Sequence, residues 1–232
     1  MDARVSAVVG LVGFVLLVLP AAAQAEDASA PPYKGGTILE SSALTGDWRG
    51  ARNDLAAKGI TLDANVTQVT QGVVSGGKNS EWVYGGRGDL TGNLDTQKLG
   101  LWPGGFLRIE LEGNWGDSVN TKTGALLPAN ANQLFPVPFN DNVALPDLSF
   151  AQFLSHYFGL MAGKIQVISD GDLNVFAHGK GATQFLNVAF NVNPVLFVVP
   201  YSTLGAGGII LPTGDPTEAI LKLFAFSPMS PM

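Results

Sequence analysis

Phe106-Leu107-Arg108-Ile109-Glu110-Leu111-Glu112-Gly113-Asn114-Trp115 is the stretch that decides the fold class. Successive side chains of an extended strand face opposite ways. Leu107, Ile109, Leu111 and Trp115 then share one face, and Arg108, Glu110, Glu112 and Asn114 the other. A helix would scatter both sets around its circumference. The same period of two runs through Ile60 to Gln71, where Ile60, Leu62, Ala64 and Val66 alternate with Thr61, Asp63, Asn65 and Thr67. From Tyr84 to Thr96, Leu90 and Leu94 oppose Arg87, Asp89, Thr91, Asn93 and Asp95, with Gly86, Gly88 and Gly92 on the apolar side. Further strands are predicted at Leu148 to Leu154, at Tyr157 to Val167 (Tyr157, Met161 and Ile165 opposing Lys164 and Gln166), at Gln184 to Asn191, at Gly205 to Leu211 and at Glu218 to Phe226.

Composition agrees with an all-β chain. Gly (29) and Pro (14) are too frequent among 232 residues for a helical bundle, since both weaken helix interiors. The net charge of -6 lacks the basic footprint of a nucleic-acid binder. With no Cys, disulfides, thiolate metal sites and Cys nucleophiles are excluded. Charged residues make up 14%, against about 25% in ordinary soluble domains.

Residues 1–25 read as a signal peptide: Arg4, an apolar run from Val5 to Leu19, Pro20, then small residues to Ala25 and cleavage before Glu26. The run is shorter than the roughly 20 residues a spanning helix needs. Residues 26–46 are predicted to be a flexible leader. A short helix is predicted from Asp47 to Gly59, with Asp47 as N-cap, Lys58 at the negative end of the dipole and Gly59 just past the end. Its shared face is Trp48, Ala51 and Leu55. Residues 116–147 lose the alternation, carry Pro128, Pro136, Pro138 and Pro146, and read as one long loop.

Alternation alone does not separate a soluble sandwich from a transmembrane barrel, because the barrel inverts the same pattern, apolar to lipid and polar to a water-filled interior. Mixed charge on the polar faces, glycine on the apolar faces, and Trp82, Tyr84, Trp102, Trp115 and Tyr157 near strand ends favour the barrel.

The candidate chemical motifs read as structural. Gly72 to Asn79 lacks the Ser or Thr and the following helix of a phosphate loop. Asp170, Asp172 and Asn174 open like a calcium loop, but Val175 and Gly181 stand where Gly and Glu are required. Arg87-Gly88-Asp89 lies within a strand. His156 and His178 have no ligand-like partners at helical spacing. Glu110 and Glu112, about 7 Å apart along a strand, could form a glycosidase pair, but Arg108 on the same face neutralises them. No catalytic residue, metal site or cofactor is assigned, and no enzyme is expected.

Leu44-Thr45-Gly46-Asp47-Trp48 with Gly50-Ala51-Arg52, then Lys98 to Phe106, Gly124 to Asn130, Leu134 to Pro138, Ala162 to Ile165, Gly171 to Asn174 and Val199 to Gly207, taken in order, resemble the carbohydrate-selective porins of the OprB type. The resemblance covers roughly residues 41–226. It implies an antiparallel 16-stranded outer-membrane barrel that passes mono- or oligosaccharides by diffusion, its pore narrowed by inward loops and by arginine and acidic side chains. The matching pore-lining candidates are Arg87, Asp89, Arg108, Glu110, Glu112 and Lys164, and the long loop 116–147 is the candidate constriction. Outer-membrane lipid is an implied partner, and a homo-oligomer is compatible with the reading. Arg49 departs from the family's usual Gly, and Ser227-Pro228-Met229-Ser230-Pro231-Met232 lacks a closing aromatic strand. Seven or eight strands are about half a porin, so residues 47–232 are expected to be an incomplete barrel domain. Two alternatives stand beside a sugar porin: an exported soluble β-sheet protein that binds sugar, and a non-conducting porin remnant.

Overall fold

The computed structural model describes residues 16–18, 33–37, 39–134, 143–167, 185–191, 200–214 and 220–227. Its strands are β1 (Leu16–Val18), β2 (Ile60–Gly72), β3 (Trp82–Asp95), β4 (Gly105–Gly116), β5 (Ala144–Phe153), β6 (Phe158–Gln166), β7 (Ser202–Ile210) and β8 (Ile220–Phe226). Short helices lie at α1 (Ala51–Ala57), α2 (Asn120–Thr123) and α3 (Val188–Asn191), with a 3-10 turn at Ala131–Gln133. No helix among the described residues is long and apolar enough to cross a membrane, which says nothing of a β-barrel.

All eight strands form one antiparallel sheet in the order β1-β8-β7-β6-β5-β4-β3-β2. From β2 to β8 each strand pairs with its neighbour in sequence, an up-and-down meander. Among the described residues the sheet does not close. β1 falls in the segment read as a signal peptide. It pairs Leu16–Val18 with Ile220–Lys222 of β8.

The ladder fixes which residues share a face. Leu62 lies beside Gly92, Ala64 beside Leu90, Leu90 beside Leu111, Leu107 beside Phe150, and Ile109 beside Leu148. Asn65 lies beside Asp89, Asp89 beside Glu112, Thr91 beside Glu110, Arg108 beside Ser149, and Glu110 beside Asp147. Burial runs opposite to that of a soluble domain. On the first face Leu62, Val66, Leu90, Leu148, Leu160 and Leu204 are exposed, Val66 at 65%. On the second, Asp89, Thr91, Glu110, Glu112, Asn114, Asp147 and Ser149 are buried, both glutamates at 1%. About 25 cal/mol is forgone for every Å² of apolar surface left in water, so a row of bare leucines costs stability unless something apolar covers it.

Glycine on the apolar face has a packing reason. A Cβ at Gly86 would overlap the Trp115 indole, and one at Gly72 would overlap Trp82. These glycines are seats for aromatic rings rather than positions without packing demands. Trp82 and Tyr84 are exposed at one end of the sheet, Trp102 and Tyr157 at the other.

β6 corrects the sequence reading. Leu148 pairs with Lys164 and Ala151 with Met161, so Lys164 sits in the row of Leu148 and Leu204 on the apolar face. Met161 and Ile165 belong to the opposite face, where Ile209 and Leu211 complete a small core with Phe153, Phe224 and Phe226 against it. Both faces of β6 carry apolar residues, so the pattern fixes no orientation and the ladder decides. Gln184 to Asn191 is not a strand in its described part. Residues 188–191 form α3, with Val188 N–H donating to Pro128 O at 3.0 Å.

α1 begins later than predicted. Asp47 is not its N-cap: Gly50 holds that place with φ +92°, and Asp47 accepts from Arg49 N–H at 3.1 Å in the preceding turn. At the other end Lys58 is the C-cap and Gly59, φ +88°, follows it in the left-handed region. The buried side chains are Arg52 and Ala56, one turn apart, not the face of Trp48, Ala51 and Leu55. Arg52 lies 3.7 Å below the Tyr33 ring centroid and 5.1 Å from that of Trp48, and donates to Gly46 O, Leu62 O and Asp63 Oδ1. The Gly46-Asp47-Trp48 and Gly50-Ala51-Arg52 motif is thus the anchor of α1 on β2. Tyr33, in the segment predicted to be a flexible leader, is buried there, its hydroxyl donating to Asp63 Oδ1 at 3.2 Å.

Candidate functional site

The polar face of β3 and β4 gathers five of the six predicted residues. Arg87 Nε donates to Asp89 Oδ1 at 2.5 Å, and its Nη2 donates to Glu112 Oε1. Arg108 Nη2 donates to Glu110 Oε2 at 2.9 Å. These pairs follow from strand geometry. Arg87 and Asp89 are two residues apart on one face, as are Arg108 and Glu110, while the ladder sets Asp89 beside Glu112. Two guanidiniums face three carboxylates, a local balance of -1. Carboxylate oxygens of Asp89, Glu110 and Glu112 lie within 4.8 Å of one another, close enough for a cation, but the two guanidiniums already supply the counter-charge. Lys164 is not brought to this cluster.

Residues outside the predicted set complete the network. Gln166 Nε2 donates to Glu112 Oε1 at 2.8 Å. Tyr201, just before β7, donates from its hydroxyl to Glu112 Oε2 at 2.5 Å and accepts from Gln166 Nε2. Asp147 accepts from Ser149 Oγ at 2.6 Å and from Gln166 N–H at 3.2 Å. Burial raises the Tyr201 phenol well above its usual range, so it stays protonated and donates. Glu112 therefore ties β4 to β3 through Arg87, to β6 through Gln166 and to the start of β7 through Tyr201. No period-two signal marks Tyr201, because it lies outside a strand.

The described part of the long connection between β4 and β5, residues 117–134, folds back over this face. Gln133 Nε2 sits where a Cβ at Gly85 would be, and Gly85 shares the face of Arg87 and Asp89. Asn130, fully buried, accepts from Asn132 N–H and donates from Nδ2 to Gln71 Oε1 at 2.7 Å and to Gln133 Oε1 at 3.1 Å. Ala131 N–H donates to Leu186 O at 2.6 Å, binding the β6–β7 connection to the same clasp. His156 lies in the Leu154–Tyr157 turn, as a loop residue. Asp170, Asp172, Asn174 and His178 lie outside the described residues. Gly72 to Asn79 forms the end of β2 and a turn, and Arg87-Gly88-Asp89 lies within β3.

A family profile described as carbohydrate-selective porin, OprB family, matches residues 81–216. No curated protein matches the chain. Among solved structures, Pseudomonas putida OprB at high pH aligns with a TM-score of 0.62 at 21% identity, covering 85% of this chain and 46% of that one. The low-pH structure of Pseudomonas putida OprB aligns at 17% identity and a TM-score of 0.37, covering 73% of this chain and 50% of that one. The chain thus spans about half the length of the porin whose fold it shares.

Proposed function

The chain belongs to the carbohydrate-selective porin family, OprB, and from that membership we propose that it forms wall and pore lining of an outer-membrane channel through which sugars diffuse passively. The exposed leucine and valine row of β2 to β7 meets acyl chains. Arg87, Asp89, Arg108, Glu110 and Glu112 face the aqueous lumen, and Gln133 with its loop narrows it. No bond is made or broken. The ion pairs and buried amides hold this face rigid, and its exposed donors and acceptors exchange hydrogen bonds with sugar hydroxyls, replacing water at little net cost. Residues 1–25 act as the export signal.

The observation that carries this reading is the inverted burial: charged and amide side chains enclosed on one face, large apolar ones bare on the other. In transmembrane barrels the connections on one side are short and on the other long. Here the β3–β4 and β5–β6 turns, at one end of the sheet, take 9 and 4 residues, whereas β4 and β5, and β6 and β7, are joined from the other end by 27 and 35 residues, the β2–β3 turn there taking 9. Membrane fractionation of expressing cells tests the reading. The chain should co-sediment with outer membrane, resist alkaline extraction and, in proteoliposomes, admit D-glucose in a swelling assay. Recovery as a detergent-independent soluble protein, or liposomes that stay closed to glucose, overturns it.

A further inference from the structure

Lys164 takes no part in the polar network. On the apolar face of β2 to β8 it is the only charged side chain among the described residues. Leu148 flanks it on β5 and Leu204 on β7, both exposed, and Lys164 itself is half-buried between them. The acidic residues of the described strands, Asp63, Asp89, Asp95, Glu110, Glu112 and Asp147, all lie on the opposite face. Lys222 lies there too, beside Ile209. Lys164 makes no ion pair with any described residue. Along β6 it stands seven residues beyond Tyr157, at the short-turn end of the sheet, which is about 17 Å of depth at roughly 2.5 Å per residue. An apolar band about 25 Å tall then leaves about 8 Å to the boundary on the side of the long connections. A lysine stem covers most of that distance, its methylenes in the apolar layer and its ammonium at headgroup level.

We propose that Lys164 is a binding site for the phosphate of an anionic lipid headgroup, in the leaflet on the side of the long connections. A charge on the lipid face is costly at the midplane and tolerated near the boundary. With no carboxylate on its own face among the described residues, the ammonium takes its counter-charge from outside the sheet. A headgroup phosphate lies at the depth the ammonium reaches, and its oxygens accept the three N–H donors in charge-assisted hydrogen bonds. Leu148 and Leu204, bare on either side, give the acyl chain of the same lipid an apolar seat. Free phosphate would answer the charge but not the leucines. Long connections face outward in transmembrane barrels, so the site belongs to the outer leaflet. It rests on the porin reading, and it moves Lys164 from the lumen, where the family resemblance set it, to the bilayer.

The test folds the full chain into vesicles of phosphatidylcholine, whose phosphate is already paired with choline, and into vesicles of phosphatidylcholine and phosphatidic acid in equal parts. Urea titration followed by tryptophan fluorescence gives the folding equilibrium constant in each. Phosphatidic acid should raise that constant about fivefold more for wild type than for Lys164→Gln, the scale of one lysine at an anionic surface. Lys164→Arg should keep the gain, and so should Lys222→Gln, which removes a lysine from the opposite face. Inorganic phosphate added to phosphatidylcholine vesicles should produce none of it. An equal gain in wild type and Lys164→Gln, or a gain reproduced by inorganic phosphate, overturns the lipid site and leaves the porin reading intact. A wild-type chain that enters neither kind of vesicle removes the porin reading and the lipid site with it.

Discussion

Leu90→Arg places a charge at the centre of the apolar face. Leu90 is 45% exposed and sits between Ala64 and Leu111 in the ladder. Strand rise is about 3.3 Å per residue, and a tilt near 40° leaves roughly 2.5 Å of depth for each. Leu90 is six residues from Tyr84 at one aromatic end and five from Asp95 at the other, about 15 and 12 Å in depth. It therefore lies within a few Å of the middle of an apolar band about 25 Å tall. Arginine at that depth costs about 2–4 kcal/mol, a factor of roughly 30 to 1,000 in the folding equilibrium. A water-facing leucine replaced by arginine would change stability by no more than about 0.5 kcal/mol. Asn65→Arg is the control: Asn65 is exposed on the opposite face, beside Asp89, and the new charge there should cost close to nothing. Urea titration of the chain folded in phosphatidylcholine vesicles, followed by tryptophan fluorescence, measures both. Agreement of Leu90→Arg and Asn65→Arg to within about 0.5 kcal/mol would refute the assignment of this face to lipid.

Other substitutions probe the polar face. Arg87→Met leaves Glu112 enclosed without its guanidinium and should destabilise by about 3–5 kcal/mol, with much of the loss recovered in Arg87→Met/Glu112→Gln, as a double-mutant cycle in the same titration will read. Gly85→Leu drives a side chain into the position of Gln133, so proteolysis within 117–143 should accelerate while β3 stays protected. Tyr201 is held protonated by burial. Its contribution is full below the unfolded phenol value near 10 and lost as pH rises from there through the higher folded value, so wild type should lose stability above about pH 10 and Tyr201→Phe should not share that part of the loss.

The alternation of β4 was legible because from Leu107 to Trp115 one face is charged and amide and the other apolar. Its ladder confirms every side assigned there. The boundaries of β2, β3 and β4 fall within two residues of the sequence reading for the same reason. β6 was not legible, since Met161, Lys164 and Ile165 give neither face a clear character and only pairing with β5 orients them. Arg87, Asp89, Arg108, Glu110 and Glu112 could be read as one polar row. Tyr201 and Gln166 could not, because the contacts that recruit them span 89 and 54 residues of chain. The turn at Asp47 hid the true start of α1. Arg49 N–H uses the Asp47 side chain, so the expected cap is consumed one turn early. Gln133 at Gly85 likewise depends on a loop returning across the sheet, a contact that no local pattern encodes.

The chain lacks cysteine, so single-cysteine variants along β2, exposed on both faces, read the environment of each side directly. Cysteines at 62 to 67 carrying an environment-sensitive fluorophore, in vesicles with brominated lipid, should be quenched at 62, 64 and 66 and remain bright and water-accessible at 63, 65 and 67. Uniform quenching, no quenching, or the reversed alternation would contradict the placement of the apolar face in the bilayer.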